Sequence, residues 1–536
     1  MKTCADIILY NGNIQTQDDS FPKAQAAAIS GTRILNLGSD RDILALASKN
    51  TILVDLEKRL VLPGFIDTHF HFYTWALSYD NIDLSKVCSF REMEESIAKK
   101  ALALGKGRWI LGQGFNESDW PENKIPDRYD LDRAAPDNPV CIWRCDLHLA
   151  SANSMALQLA NINSATPDPE DGLIARDESG KPDGILRELA SNLIRNVIPG
   201  MSRSKVLENM EKAIADAHKL GLTSIHDIRL MGGLDGAESL QAWQKLRQEN
   251  RLNIRCHAAL PGEMTDQAVS LGICTGFGDD LLKIGHLKFF SDGGMGARTG
   301  WMTEKYLDAE YGMPITPIKE IEKAVLKADH AGLSVMVHAI GDRANKELIN
   351  MFARIEAKGK TQSAIPHRIE HVQMVLPEDL KTLSTLKNVA VTCQPNNLSL
   401  DISMIDMCAG PRGRYAYNLK SILNTKIPMM LGSDAPVADP GPLAGIYSAV
   451  NRRRMNHTPE QGWYMEQALS VKEAVKGYTI TPASASGLGT KLGSISKGKF
   501  ADIIVLSQDI FTIDPLRIAD TKIDLTIFNG KIVYEA

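Results

Sequence analysis

His69 and His71 stand two residues apart in Val61-Leu62-Pro63-Gly64-Phe65-Ile66-Asp67-Thr68-His69-Phe70-His71. A Pro-Gly turn followed by an apolar pair starts a buried strand, and on a strand residues two apart point to one face. Two imidazoles on one face at a strand's end have the donors to hold one metal ion. Two polar residues closing a strand give the same pattern, so the pair alone decides little. Further candidates close other apolar runs. His338 ends Val335-Met336-Val337-His338, His371 ends Arg368-Ile369-Glu370-His371, and Asp434 ends Met430-Leu431-Gly432-Ser433-Asp434. A lone histidine there is more often a satisfied core residue. Several at successive strand ends are hard to explain that way, and converging N and O ligands favour zinc or a similar first-row metal.

These residues need a frame that brings strand ends together. From about residue 200, stretches helical by period (207–220, 241–250, 318–331, 346–357) alternate with strand-like runs (223–227, 254–260, 282–290, 334–339, 368–372, 389–394, 429–432). Repeated βα alternation predicts a parallel sheet, closed into a barrel or doubly wound. In a barrel the strand ends converge on one face. Residues 73–200 break this rhythm and are rich in Trp, Pro, Asp and Asn, as in Gly114 to Pro121. They read as a large insertion after the first barrel strand, on the catalytic face, forming a lid or substrate wall. The first 60 residues and the last 50 look like short antiparallel strands, with hairpin signals at Asn11-Gly12 and Asn529-Gly530. Neither end holds a core of its own. The expected organisation is therefore a β-sandwich built from 1–60 and 486–536 around a barrel spanning 61–485.

A chain of 536 residues has room for a barrel of about 250 residues plus further modules. With 44% hydrophobic and 23% charged residues it is a soluble globular protein. Net charge is −5, and no basic run exceeds Arg452-Arg453-Arg454, which argues against a nucleic-acid partner. There is no uncharged apolar stretch of membrane-spanning length. The apolar run Ile7 to Tyr10 is too short for a secretion signal, so a cytoplasmic enzyme with a small-molecule substrate is expected. Eight cysteines are scattered, Cys141 and Cys145 lying closest, and read as free thiols in a reducing compartment.

The chain resembles the amidohydrolase superfamily over nearly its whole length. The resemblance rests on PGFIDTHFH at 63–71, HAIGDRA at 338–344, RIEHVQ at 368–373, GSDAPV at 432–437 and GSISKGKFADIIVL at 493–506. Within the superfamily it looks most like YtcJ-like hydrolases and N-substituted formamide deformylases. The marks are His148 with Asn153-Ser154-Met155-Ala156-Leu157, Gly180-Lys181-Pro182-Asp183-Gly184, and Lys288-Phe289-Phe290-Ser291-Asp292-Gly293. The resemblance implies an α/β fold, a (β/α)8 TIM barrel. It also supplies Lys288, matching a lysine that CO2 converts from a cation into an anionic bridge between two metals. By the same resemblance His69, His71 and Asp434 hold the more buried metal and His338 and His371 the second. Carboxylated Lys288 and a hydroxide lie between them, with zinc the expected ion. Such metals lower the pKa of water and polarise a carbonyl. Asp434 would take the water's proton and pass it to the leaving amine. His148 is the candidate for contacting substrate or its oxyanion. Arg298 is the candidate for meeting a substrate carboxylate or closing its loop. Gly294 stands where serine or alanine is more usual, which bears on specificity.

The expected reaction is hydrolysis of a linear, non-peptide carbon–nitrogen bond, as in an N-substituted formamide or N-acyl compound. A cyclic amidase or lactonase would use the same metal set. Deaminases of this superfamily usually use one metal without the bridging lysine, so Lys288 argues against that alternative. A non-enzymatic binding protein would be marked by loss of a ligand, and all six candidates are present. A homo-oligomer follows family habit, and no feature of the sequence demonstrates one.

Overall fold

Runs such as Val335–Ala339 and Val389–Cys393 are buried at every position, the mark of strands covered on both faces. The computed structural model describes residues 4–233, 235–359 and 361–536, and eight strands of this kind form one parallel sheet. In chain order they are β1 (Phe65–Phe70), β2 (Leu222–Asp227), β3 (Arg255–Pro261), β4 (Leu282–Phe290), β5 (Val335–Ala339), β6 (His367–His371), β7 (Val389–Cys393) and β8 (Met429–Leu431). Their spatial order is the chain order. At the seam between β1 and β8, Thr68 Oγ1 donates to Leu431 O (2.8 Å) and the Asp434 amide donates to His69 O (2.7 Å). The sheet is thus a nearly closed barrel, as the βα rhythm and the family resemblance led us to expect.

The outer helices are held by one apolar stripe each. Arg203–Lys219 buries Val206, Met210, Ala213 and Ala217, and Ser202 caps it by accepting from the Lys205 amide. Asp342–Ala357 buries Leu348, Phe352 and Ile355 in the same way. Each of the larger of these side chains, such as Met210, Leu348 and Phe352, contributes about 1.5–3 kcal/mol on burial. Gly64 has a tighter reason than a turn. A Cβ there would lie 2.2 Å from Thr223 Oγ1, so only glycine lets β1 start against β2.

The two ends of the chain meet. Ile503–Leu506 pairs antiparallel with Leu60–Pro63 inside a six-stranded sheet, and Ile523–Phe528 with Lys531–Glu535 forms the expected hairpin at Asn529-Gly530. This sheet runs through Pro63, beyond the expected boundary at residue 60. The Asn11-Gly12 signal does not make a hairpin. Ile7–Tyr10 instead joins a second, four-stranded sheet, antiparallel to Ala26–Ser30 and parallel to Ile52–Asp55, while Asn13–Gln15 crosses into the first. Leu9 and Ile14 both enter an apolar cluster that also holds Val61, Ile503 and Ile527. Burying both residues requires the chain to change sheets at that turn.

Residues 73–200 are more than loops. Six strands between Ile82 and Glu188 form a mixed sheet with its own two apolar clusters, one around Phe115, Trp120 and Ile142, the other around Trp143, Leu157 and Leu186. Strands such as Ile110–Phe115 (Ile-Leu-Gly-Gln-Gly-Phe) and Leu149–Ala152 (Leu-Ala-Ser-Ala) carry too few β-branched residues to announce themselves. No helix among the described residues is long and apolar enough to cross a membrane.

Candidate metal centre

The ends of β1, β4, β5, β6 and β8 deliver His69, His71, Lys288, His338, His371 and Asp434 to one place. All six are buried. His371 sits between neighbours, its ring centroid 4.7 Å from that of His69 and 4.4 Å from that of His338. Asp434 Oδ1 lies 3.4 Å from Nε2 of both His69 and His71, and Oδ2 lies 4.0 Å from His371 Nδ1. The tightest set of ligand atoms is His69, His371 and Asp434, all within 4.8 Å of one another. The resemblance groups His371 with His338, whose ring is nearer to it than that of His69.

Several polar atoms here are buried without a hydrogen-bond partner: His69 Nε2, His71 Nδ1, Lys288 Nζ and Asp434 Oδ1. Orphaned buried donors and acceptors are costly, and this set has the chemistry of metal ligands. The residues therefore fit a divalent metal. Their protonation suits it as well. Burial, then neighbouring Lys288 and histidine charges, holds His69, His338 and His371 well below the usual imidazole range, in the neutral ligand form. Burial brings Lys288 down to about 8 against the pull of Glu370 and Asp434, which raises the share of free amine over that of an ordinary lysine. For Asp434, burial works to raise the carboxyl, but His69, His71 and the Asn397 hydrogen bond outweigh it and keep the carboxylate form.

Partners behind the ligands fix which nitrogen each histidine offers. Glu370 Oε2 accepts from His69 Nδ1, so Nε2 is left facing Asp434. Glu370 is itself gripped by Arg368, with Nε 2.8 Å from Oε1 and Nη2 3.0 Å from Oε2. His338 Nε2 donates to Gly293 O (3.2 Å), leaving Nδ1. Asp292 accepts from the amides of Trp301 (2.8 Å), Ile340 (3.0 Å) and Gly341 (2.8 Å), lashing the loop after β4 to the end of β5. Asp67 does likewise between His69 N and Ser433 N. Burial raises both carboxyls to about 7. His371 and Asp434 have φ of 68° and 62°, left-handed values that cost energy in non-glycine residues and cluster at functional sites.

The insertion supplies the facing wall. His148 Nδ1 lies 2.7 Å from Glu188 Oε2, Thr299 Oγ1 donates to Glu188 Oε1, and the His148 ring is 5.4 Å from that of His338. Burial opposes charge on this imidazole, but the Glu188 carboxylate, with Asp146 and Asp434 behind it, raises His148 to about 9. Two cavities, about 550 and 450 Å³, share His148, His338, His371 and Asp434 as a common wall. A Cβ on Gly294 would sit 3.0 Å from His148 Cδ2, so the glycine that departs from the usual pattern is what makes room for this ring. Arg298 is placed differently from the expected substrate contact. Both its ends are occupied, Nε and Nη2 by Asp308 (2.9 and 2.7 Å) and Nη1 by Met295 O (2.8 Å), and it lines neither cavity. Its contacts are those of a residue closing its own loop. Glu370, Glu188 and Asn397, whose Nδ2 donates to Asp434 Oδ2 (3.0 Å), had not been singled out from sequence. Glu370 did leave a trace, a carboxylate two residues after Arg368 in a strand buried at every position.

The amidohydrolase family model matches residues 53–534. YtcJ of Bacillus subtilis (strain 168), which carries an amidohydrolase name, is 31% identical over 98% of this chain and 99% of its own length. The N-substituted formamide deformylase of Arthrobacter pascens is 26% identical over 100% of this chain and 99% of its own. Among solved structures, an uncharacterized metal-dependent hydrolase from Pyrococcus horikoshii OT3 superposes with a TM-score of 0.75 at 27% identity, covering 95% of this chain and 99% of that one.

Proposed function

Because the chain belongs to the amidohydrolase family, we propose that it is a metal-dependent hydrolase of linear, non-peptide amides, of the N-substituted formamide or N-acyl kind. The observation that carries this reading is the convergence of six ligand-type side chains from five strand ends, four of them with a buried polar atom lacking any partner. His69, His71, Lys288, His338, His371 and Asp434 would hold two divalent ions, zinc the leading candidate, with Lys288 carboxylated as the bridge. Metals bound there supply Lewis acidity toward the carbonyl and acidify water. The remaining work falls to the chain's own groups. Asn397 holds Oδ2 of Asp434, leaving Oδ1 to accept the proton of the attacking water. As the water oxygen joins the carbonyl carbon and the carbon–nitrogen bond breaks, Asp434 returns that proton to the leaving nitrogen. With Nδ1 committed to Glu188, His148 has only Nε2 left to donate to the developing oxyanion.

The test is metal content per chain after purification without chelator, with mass analysis of the Lys288 peptide under CO2, followed by a screen of formamides and N-acyl amines. About two metals, a carboxylated Lys288 and loss of metal in Lys288→Ala are expected. One observation favours a second reading: the tight set His69, His371 and Asp434 would by itself hold a single ion, as in deaminases. One metal, indifferent to Lys288→Ala, would establish that reading and remove the first.

A further inference from the structure

The larger cavity is lined on its far side by a short helix, Ala190–Arg195, that follows the last long strand of the insertion, Pro182–Glu188. The charges facing this cavity are almost all spent on one another. Asp146 accepts from Arg144 Nη1 (2.7 Å) and from the His148 amide (3.1 Å). Glu188 is shared between His148 and Thr299. Asp434 and Lys288 belong to the ligand cluster. Arg195 is the exception. Among the described residues its guanidinium has no hydrogen bond and no ion pair. It sits over Trp143, with Cζ 4.6 Å from the ring centroid. Asp235, the nearest acid acting on it, is already paired with Arg229 at 3.1 Å.

Burial is the main influence on Arg195 and pulls it below the usual guanidinium range, although the side chain is only half-buried and still meets solvent. With the indole on one side and no hydrogen bond among the described residues, the guanidinium has donors to offer a planar, two-oxygen partner. Leu147, Leu189, Leu230, Met231 and Val437 give this cavity apolar wall, with Ser191 and Asn192 on the same helix as Arg195. A neutral or cationic substrate filling this space would strip water from the guanidinium and give it no partner in return. A carboxylate would satisfy it while apolar atoms fill the space toward the strand ends.

Resting on the hydrolase reading above, we infer that Arg195 binds a carboxylate of the substrate, so that the enzyme takes acidic amides with an apolar side chain, the class of N-formyl or N-acyl amino acids. The insertion then does more than cover the site. It selects for an anion at the far end of the cavity while the barrel strands act on the amide.

Binding to the metal-loaded full-length enzyme is measured by calorimetry with N-formyl-leucine and its carboxamide, which match in shape and differ in charge. The wild type is expected to bind the acid at least tenfold more tightly. Arg195→Met, which keeps an apolar stem over Trp143, should lose that preference with the carboxamide's Kd unchanged, and Arg195→Lys should keep part of it. Equal binding of the pair by the wild type, no binding of the acid at millimolar concentration, or a preference that survives Arg195→Met would overturn the inference. If Arg195→Met does not fold, the wild type and Arg195→Lys decide it, a lysine variant with undiminished preference counting against the planar contact. Turnover followed in the same samples separates the two readings. Hydrolysis without a preference for the acid removes only the carboxylate site, and a preference without hydrolysis of any amide removes only the hydrolase.

Discussion

At the mouth of the barrel His69, His71, His338 and His371 gather around Asp434. Deeper between the strands, His226, His257 and His286 gather around Arg368. Both sets are buried and made of the same residue type. Their company is opposite. The upper set has Asp434 among its ligand atoms and Glu370 behind His69. In the lower set Arg368 donates from Nη1 to His226 Nδ1 (2.8 Å), His226 and His257 stack at 4.7 Å, and His286 Nε2 donates to Pro366 O (3.1 Å). Among the described residues no carboxylate hydrogen-bonds these three rings. A cation placed there would meet Arg368 and Lys283, and the nearby Glu370 carboxylate is already spent on Arg368 and His69. On the proposed reading, what separates the candidate metal centre from this second cluster is its carboxylates and not its histidines.

Asp434→Asn is the most damaging way to test that contrast. It removes the anion and the proton acceptor together, so bound metal should drop and turnover should fall by about 10²–10⁴-fold, read by elemental analysis and kcat. Glu370→Gln comes next. It weakens the orientation of His69, with an expected loss of about 10–100-fold in metal affinity by chelator competition, and strands Arg368 at a cost of about 3 kcal/mol by denaturant melts. Unchanged metal affinity would show that the carboxylate behind His69 is not what separates the two clusters. The third test is acid. Burial first, then Lys283 and Arg368, pushes His257 down to about 3, whereas the unfolded chain takes up its proton near 6.5. The unfolded state thus binds more protons as pH falls from about 6.5 towards 3, and the folded protein loses stability across that window and not above it. His257→Leu should flatten this slope by up to about 1.4 kcal/mol per pH unit. At neutral pH the same variant should change stability by only about 1 kcal/mol, because neither ring nitrogen has a partner to lose, and metal content should stay as it was.

The ligands were legible because each closes an apolar run: His338 after Val335-Met336-Val337, His371 after Ile369-Glu370, Asp434 after Met430-Leu431. Strand periodicity ties such positions to one rim of a barrel whatever the loops do. Lys288 was legible only through the family motif, since nothing in Leu287-Lys288-Phe289 distinguishes it from a surface lysine. The insertion was recognised as a break in rhythm, but its sheet was not, because its strands carry Gly, Ser and Ala where β-branched residues would have marked them. The Asn11-Gly12 turn was legible as a turn and misleading as a hairpin, because a two-residue signal does not say which sheet the next strand enters.

The sequence by itself determined the eight-strand rhythm, the rim residues and the meeting of the two termini, all properties of local periodicity and of residue type at element ends. Only the tertiary structure decided that Glu370 reaches across the barrel to His69, 301 residues away in the chain. It alone showed Arg298 committed to Asp308 and Arg195 left over a tryptophan with no counter-ion among the described residues. Charge pairing depends on distance in space, and neither the spacing nor the type of a residue along the chain reveals which partner its charge has found.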